Sequence, residues 1–180
     1  GFARWWSNGN PISFPTEGYN AIGRDMNPVI IFVGLAVLFH LLMTYTKYGK
    51  HSYAIGSNEQ ATRMSGINVD RHKVLVYVIA SALASLAAVV VSSKGQTAQA
   101  NMGVMYELDA IAMAVIGGVS LQGGRGSILG TVIGALIFGV IISGFTFLKL
   151  DAYYQEMVKG AIIVGAVVLD QYRQQGRARA

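Results

Sequence analysis

The chain has 180 residues, of which 53% are hydrophobic and only 13% are charged. A soluble domain of this size carries about 25% charged residues, so the composition argues against a soluble globular protein. The chain contains no cysteine, which excludes a disulfide framework and a thiolate metal site. The net charge is +5, and the distribution of the basic residues indicates membrane topology rather than nucleic-acid binding.

The N-terminal segment, residues 1–27, is punctuated by Gly, Asn and Pro and is predicted to be an external loop segment with a short surface helix. Trp5 and Trp6 suit a membrane–water interface. The chain begins at Gly1 without an initiator Met or a signal-peptide pattern, so we expect a fragment, or a chain whose N-terminal part is missing.

The apolar residues that follow form blocks long enough to cross a bilayer, which takes about 20 residues of helix. We predict an all-α membrane protein, a bundle of about five transmembrane helices with a short cytoplasmic helix. The spans are predicted at 28–46, 74–91, 108–121, 128–148 and 157–172. The third span is short and Gly117-Gly118 weakens its end, so a broken span or a re-entrant segment is the alternative.

The basic residues indicate the orientation of these spans. They concentrate in the 47–73 connection and in the C-terminal tail, as Lys47, Lys50, Arg63, Arg71, Lys73, Arg173, Arg177 and Arg179. The positive-inside rule makes both segments cytoplasmic, and this requires 108–121 to cross. We therefore predict a cytoplasmic C-terminus, whereas a re-entrant 108–121 would leave the arginine tail outside.

The 47–73 connection carries start and stop signals for a helix of its own. Ser57 with Gln60 three residues later matches a capping box, and Gly66 can take the left-handed conformation that ends a helix. We predict a helix from about Asn58 to Ser65, which is too short to be stable without packing on something.

The side chains of this short helix allow two interpretations. Glu59 near its start and Arg63 near its end favour the helix dipole, and Ala61 and Met64 share one face. Methionine suits an adaptable groove, which favours a docking element. From the physics alone, a surface helix without a partner explains the pattern equally well.

Three stretches of sequence resemble one protein family. The run YAIGSNEQATRMSGINVDR at 53–71 looks like the cytoplasmic loop of permeases from ATP-binding-cassette importers of ribose, xylose, arabinose and related monosaccharides. The run ELDAIAMAVIGGVSLQGGRGSILGTVIGALI at 107–137 is similar to a second hallmark of these permeases, and GNPISFP at 9–15 resembles their preceding external segment. The resemblance covers essentially the whole chain.

The resemblance implies a single membrane permease domain over 1–180, the C-terminal part of a larger permease, with 47–73 as its cytoplasmic coupling loop. It implies a partner ATPase in the cytoplasm, a periplasmic sugar-binding protein, a second permease subunit and a monosaccharide substrate. The residues that would couple to the ATPase are Ser57, Asn58, Glu59, Gln60, Ala61, Thr62, Arg63, Met64, Ser65 and Gly66. Related permeases for branched-chain amino acids or nucleosides, or a non-transporting scaffold, are the alternatives.

Polar residues inside the predicted spans are candidates for a translocation path. Tyr77, Ser81 and Ser85 recur at every fourth position, and they either line a sugar path or bond neighbouring helices. His40 is an ionisable residue within a span and therefore a functional candidate, although a neutral histidine bonded between helices is the simpler interpretation. A secondary transporter would need more such groups, so this class is disfavoured.

Small residues predict close helix packing in the fourth span. Gly130 and Gly134 form a GxxxG pattern that Gly139 continues, and we favour packing over a ligand role. The glycines at 123–126 lack the Lys-Ser/Thr ending of a phosphate loop and are better explained as a turn in a helix hairpin. We predict no enzyme activity, no cofactor, no metal site and no nucleic-acid partner, with ATP hydrolysis in a separate chain.

Overall fold

The computed structural model describes residues 2–13 and 16–178, and most of these residues are helical. The α-helices are α1 (Phe2–Trp6), α2 (Glu17–Asn20), α3 (Asn27–Tyr45), α4 (Lys47–Ser57), α5 (Glu59–Met64), α6 (Val69–Gly95), α7 (Tyr106–Ile116), α8 (Ile128–Phe147) and α9 (Ala152–Ala178). A 3-10 turn at Ala21–Gly23 and two short strands, β1 (Ile12–Ser13) and β2 (Thr97–Ala98), complete the described elements. The predicted all-α class is confirmed.

Helices α3, α6 and α8 are long and apolar enough to cross a membrane. They contain 19, 27 and 20 residues, and at about 1.5 Å per residue each matches or exceeds a hydrocarbon core of about 30 Å. No residue of α3 is buried within the chain, as expected for a helix whose apolar side chains face lipid or other helices. The predicted spans 28–46, 74–91 and 128–148 coincide with these helices, and the predicted span 157–172 lies inside α9.

Helix α7 is shorter than the predicted span 108–121, because it ends at Ile116. The backbone N–H of Gly118 donates to the Val115 carbonyl at 2.9 Å, and that of Val119 donates to the Ala114 carbonyl at 3.0 Å. Gly118 has a φ of +88°. This is a Schellman ending, in which a left-handed glycine satisfies the last carbonyls and stops the helix. With 11 residues, α7 measures about 16 Å and does not by itself cross a bilayer.

The chain divides into two units, and the first comprises Gly1–Val37 and Asp70–Val104. Here the N-terminal segment is attached to the C-terminal end of α6. Strands β1 and β2 pair antiparallel, and the Tyr19 and Ser92 hydroxyls lie 2.5 Å apart. The Ser93 hydroxyl, which is buried, accepts from the Gly23 N–H and donates to the Tyr19 carbonyl, both at 2.7 Å. The segment predicted as an external loop therefore has short helices and defined anchor points.

The second unit comprises Leu38–Val69 and Met105–Ala180. Helix α7 packs against both α8 and α9, and its Ala112 and Val115 are buried, as is Phe138 of α8. Ser127 caps α8 by accepting the Gly130 N–H at 3.0 Å. From the predicted arginine tail, Arg179 lies outside the described residues, as do the side chains of Arg173 and Arg177.

Candidate functional site

The segment between α3 and α6, predicted as a loop with one short helix, contains two helices. Helix α4 begins directly after Thr46, whose hydroxyl accepts the Tyr48 N–H at 3.2 Å, and it continues to Ser57. A helix at 47–57 was not predicted from the sequence. Gly49 and Gly56 lower helix propensity, although Gly49 packs against the backbone of Met43 at the end of α3 and Gly56 against the distant Gly123 and Gly124.

Helix α5 begins one residue later than the capping-box pattern indicated. Asn58 is the N-cap, with an extended backbone (φ −157°, ψ 99°) and a side-chain oxygen that accepts the Ala61 N–H at 2.9 Å. Ser57 is instead the last residue of α4, so the predicted pairing of Ser57 with Gln60 was wrong. An asparagine and a serine cap equally well, and the end of α4 decides which residue is used.

The end of α5 follows the prediction. Ser65 donates its N–H to the Ala61 carbonyl at 3.1 Å, and Gly66 then adopts a left-handed φ of +82°. The helix is thus bounded on both sides by residues suited to these positions. Its bounds, Glu59–Met64, lie within the predicted range.

Helix α5 has one buried residue, Thr62, and is otherwise mostly exposed. Thr62 is buried, and its hydroxyl donates to the Asn58 carbonyl at 2.8 Å. Met64 is 84% exposed, so most of its apolar side chain contacts no other described residue. Glu59 and Arg63 approach to 3.5 Å with about half of each side chain exposed. Such a surface pair contributes about 0.3–0.5 kcal/mol to stability.

The C-terminal end of α4 is in backbone contact with the turn that joins α7 to α8. A β-carbon on Gly56 would overlap the Gly124 backbone nitrogen, and one on Gly123 would lie 2.8 Å from the Gly56 carbonyl oxygen. Real side chains do not reach such distances, so only glycines permit this approach. The Tyr53 hydroxyl adds a hydrogen bond to the Gly126 carbonyl at 2.9 Å. We call these contacts between Tyr53, Gly56, Gly123, Gly124 and Gly126 the glycine junction.

The turn itself is held by its own hydrogen bonds. The Ser120 N–H donates to the Arg125 carbonyl at 3.0 Å, and the Gly123 N–H donates to the Ser120 carbonyl at 3.2 Å. Gly123 and Gly124 have φ values of +91° and +71°, so the turn requires glycine for its conformation as well as for its contact. A cavity of about 290 Å³ lies beside the junction and is lined in part by Ser52 and Thr131.

The glycines of α8 differ in their surroundings. A β-carbon on Gly130 would overlap the Gly117 carbonyl oxygen, and one on Gly134 would overlap the Met113 carbonyl oxygen. Both glycines therefore lie where α8 meets α7. A β-carbon on Gly139 would meet no atom within 4 Å, so Gly139 lies on an open face of α8.

The candidate path residues are accessible. Tyr77, Ser81 and Ser85 are exposed along α6, with Tyr77 exposed by 74%. The Ser85 hydroxyl donates to the Ser81 carbonyl at 2.9 Å within the same helix, so it bonds its own backbone rather than a neighbouring helix. His40 is half-buried in α3.

An ion pair between α7 and α9 was not predicted from the sequence. The Lys159 Nζ lies 2.8 Å from Asp109 Oδ1 and 3.0 Å from Oδ2, and it lies 6.0 Å from the ring centre of the buried Phe138. About a fifth of each charged side chain is exposed. The available signal was Lys159 in a long apolar run of α9 and two acidic residues, Glu107 and Asp109, in the first turn of α7, because charges within a membrane pair with one another.

Comparison with known proteins gives one family and a set of related permeases. The family described as "Branched-chain amino acid transport system / permease component" matches residues 3–167. The Ribose import permease protein RbsC of Escherichia coli (strain K12) is 42% identical over 178 residues, which are 94% of this chain and 56% of that protein. No solved structure shows a significant match.

Two further relatives are also named as sugar import permeases. The Ribose import permease protein RbsC of Bacillus subtilis (strain 168) is 42% identical over 173 residues, 92% of this chain and 54% of the relative. The Galactose/methyl galactoside import permease protein MglC of Escherichia coli (strain K12) is 39% identical over 159 residues, 87% of this chain and 47% of the relative. The chain thus spans about half the length of the curated relatives that it matches.

Proposed function

Because the chain belongs to the family of branched-chain amino acid transport system permease components, we propose that it forms part of the permease subunit of an ATP-driven importer for a monosaccharide. The family description and the relatives differ in substrate, since the relatives at 42% and 39% identity are named for ribose and galactose. Their similarity extends over most of this chain, which favours a sugar over an amino acid.

The structure of helix α5 is the observation that supports this proposal. It is a short helix with defined caps, and Met64 and two charged side chains lie on its accessible side. A helix of six residues is unstable alone, so its retention in a fixed position favours a docking role. We assign to residues 57–66 the binding of a cytoplasmic ATP-binding-cassette ATPase, which supplies the hydrolysis that this subunit lacks.

The remaining partners follow from the same assignment. A periplasmic sugar-binding protein delivers the substrate to the outer face, to which we assign residues 16–27, the segment bonded to the end of α6. A second permease subunit completes the path, and Tyr77, Ser81 and Ser85, which are exposed on α6, are its candidate lining residues because a hydroxyl can hydrogen-bond a sugar. His40 is a further candidate for the path.

The chain is a multi-pass protein of the inner membrane, and contacts within its two units favour one orientation. Segment 16–27 is bonded to the end of α6, so both lie on one side, which we take as external. The turn at 123–126 contacts α4 and therefore lies on the cytoplasmic side with the basic 47–73 segment. Residues 105–123 together then cross the membrane although α7 alone is too short, α8 returns outward, and α9 ends in the cytoplasm.

The test uses the full-length permease that contains this chain, expressed with its candidate ATPase and binding protein. We expect Met64→Ala, and separately the double change Glu59→Ala/Arg63→Ala, to weaken ATPase association about tenfold or more, the effect of removing an interface anchor. Co-purification and sugar-stimulated ATP hydrolysis measure this effect. Uptake of labelled ribose, galactose and leucine by the wild-type importer distinguishes the substrate classes.

Met26→Ala is the matched control, since Met26 is an exposed methionine (63%) in the segment assigned to the external side. It should leave ATPase association unchanged. Wild-type association and hydrolysis in both α5 variants would remove the support for α5 as the docking element.

A further inference from the structure

We propose that the glycine junction transmits the displacement of α5 to helices α7 and α8, and so couples the ATPase to the membrane spans. The inference rests on the proposed function of α5. Docking alone does not explain how the movement of a six-residue surface helix reaches the transport path.

The first link runs along the chain from α5 to α4. Only Asn58 separates the two helices, and its N–H donates to the Ala54 carbonyl at 3.0 Å while its side chain caps α5. Asn58 is therefore bonded to both helices. A force on α5 acts directly on the last turn of α4, where Gly56 lies.

The second link is the backbone contact of α4 with the turn. Gly56 contacts both Gly123 and Gly124, and Gly124 also lies against Ser57. Backbone atoms in van der Waals contact have no flexible side chains between them to absorb a displacement. The hydrogen bond from Tyr53 to Gly126 is a second attachment one helical turn away, so the turn is held at two points and follows both the position and the tilt of α4.

The third link connects the turn to the spans. It follows directly on the Schellman ending of α7 and precedes the Ser127 cap of α8. Helices α7 and α8 are themselves in close backbone contact, through Gly117 with Gly130 and through Met113 with Gly134. These helices, α4 and α5 belong to one unit of the chain, so the path from α5 to α8 is contiguous.

The test separates coupling from docking in the full-length permease assembled with its ATPase and binding protein in proteoliposomes. Tyr53→Phe removes only the hydroxyl that bonds Gly126, and Gly56→Ala forces α4 and the turn apart. We expect ATPase association to stay at the wild-type level in both variants. Sugar uptake should fall about threefold to tenfold in Tyr53→Phe, the loss that one hydrogen bond supports, and more than tenfold in Gly56→Ala.

Gly34→Ala is the matched control, because a β-carbon on Gly34 would meet no atom within 4 Å, and its uptake should equal that of the wild type. Wild-type uptake in Tyr53→Phe and Gly56→Ala would overturn the proposal. Loss of ATPase association in Tyr53→Phe would also overturn it, by making the junction part of the docking surface. If Gly56→Ala fails to reach the membrane, Tyr53→Phe decides alone.

The failure of this inference is distinguishable from the failure of the proposed function. Coupling is measured as uptake per bound ATPase, whereas the α5 variants measure binding itself. Intact binding that depends on Met64, together with insensitivity to Tyr53 and Gly56, would retain α5 as the docking element and reject only the junction.

Discussion

Asn58 fixes where α5 begins, and its replacement tests the cap. The side-chain oxygen accepts the Ala61 N–H, and removing such a cap costs about 1 kcal/mol. Because α5 has only six residues, we expect Asn58→Ala to weaken ATPase binding about fivefold. A binding titration of the full-length permease with its ATPase measures the change.

Two other residues at this position provide the comparison. Asn58→Ser and Asn58→Asp keep a cap acceptor and should bind the ATPase within about twofold of the wild type, since these residues cap helices comparably. Equal binding by the Ala, Ser and Asp variants would show that the cap does not contribute to docking.

The residues around Asn58 also show what the sequence could and could not predict. Gly66 was correctly expected to take a left-handed conformation, because that requirement is local. The choice between Ser57 and Asn58 as the cap was wrong, because it depends on where α4 ends. That end is fixed by contact with Gly123 and Gly124, which are more than 60 residues away in the chain.

The ion pair between Asp109 of α7 and Lys159 of α9 links two helices and gives a prediction about stability. Removing one partner from a largely buried pair leaves an uncompensated charge and costs about 3 kcal/mol. We expect Lys159→Met and Asp109→Ala each to lower the thermal midpoint of the purified full-length permease. The double variant should be more stable than the sum of the single effects implies, because neither charge remains unpaired.

Glu107→Ala is the control for these variants, since Glu107 is an exposed carboxylate on the same helix. It should leave the thermal midpoint unchanged. Strictly additive effects of Lys159→Met and Asp109→Ala would contradict an energetic coupling between the two charges.

The long helices were predicted more accurately than the short ones. Helices α3, α6 and α8 were predicted near their observed positions because a continuous apolar block of about 20 residues is a strong signal. Helix α4 was missed and α7 was predicted too long, since short elements are fixed by packing and by special residues such as Gly118 rather than by their own composition. The glycine junction was not predicted, because it joins a short helix to a turn that is distant in the sequence.

For the whole chain, we propose five crossings and a cytoplasmic C-terminus. This topology depends on residues 105–123, in which an 11-residue helix ends at a left-handed Gly118 and is followed by a turn that contacts α4. If this stretch did not cross, α8 and α9 would be inverted and the basic C-terminal tail would be external, against the positive-inside rule.

Cysteine accessibility decides between these two topologies, and the 180 residues contain no cysteine that would interfere. Single changes Met102→Cys, Met64→Cys and Arg177→Cys are made in the full-length permease after replacement of any cysteine elsewhere, and the protein is expressed without its ATPase. A membrane-impermeant thiol reagent should label position 102 in spheroplasts, and positions 64 and 177 only in inside-out vesicles. Labelling of position 177 in spheroplasts, with position 64 still protected, would mean that 105–123 does not cross, and the path proposed from α5 through the turn would then need a different geometry.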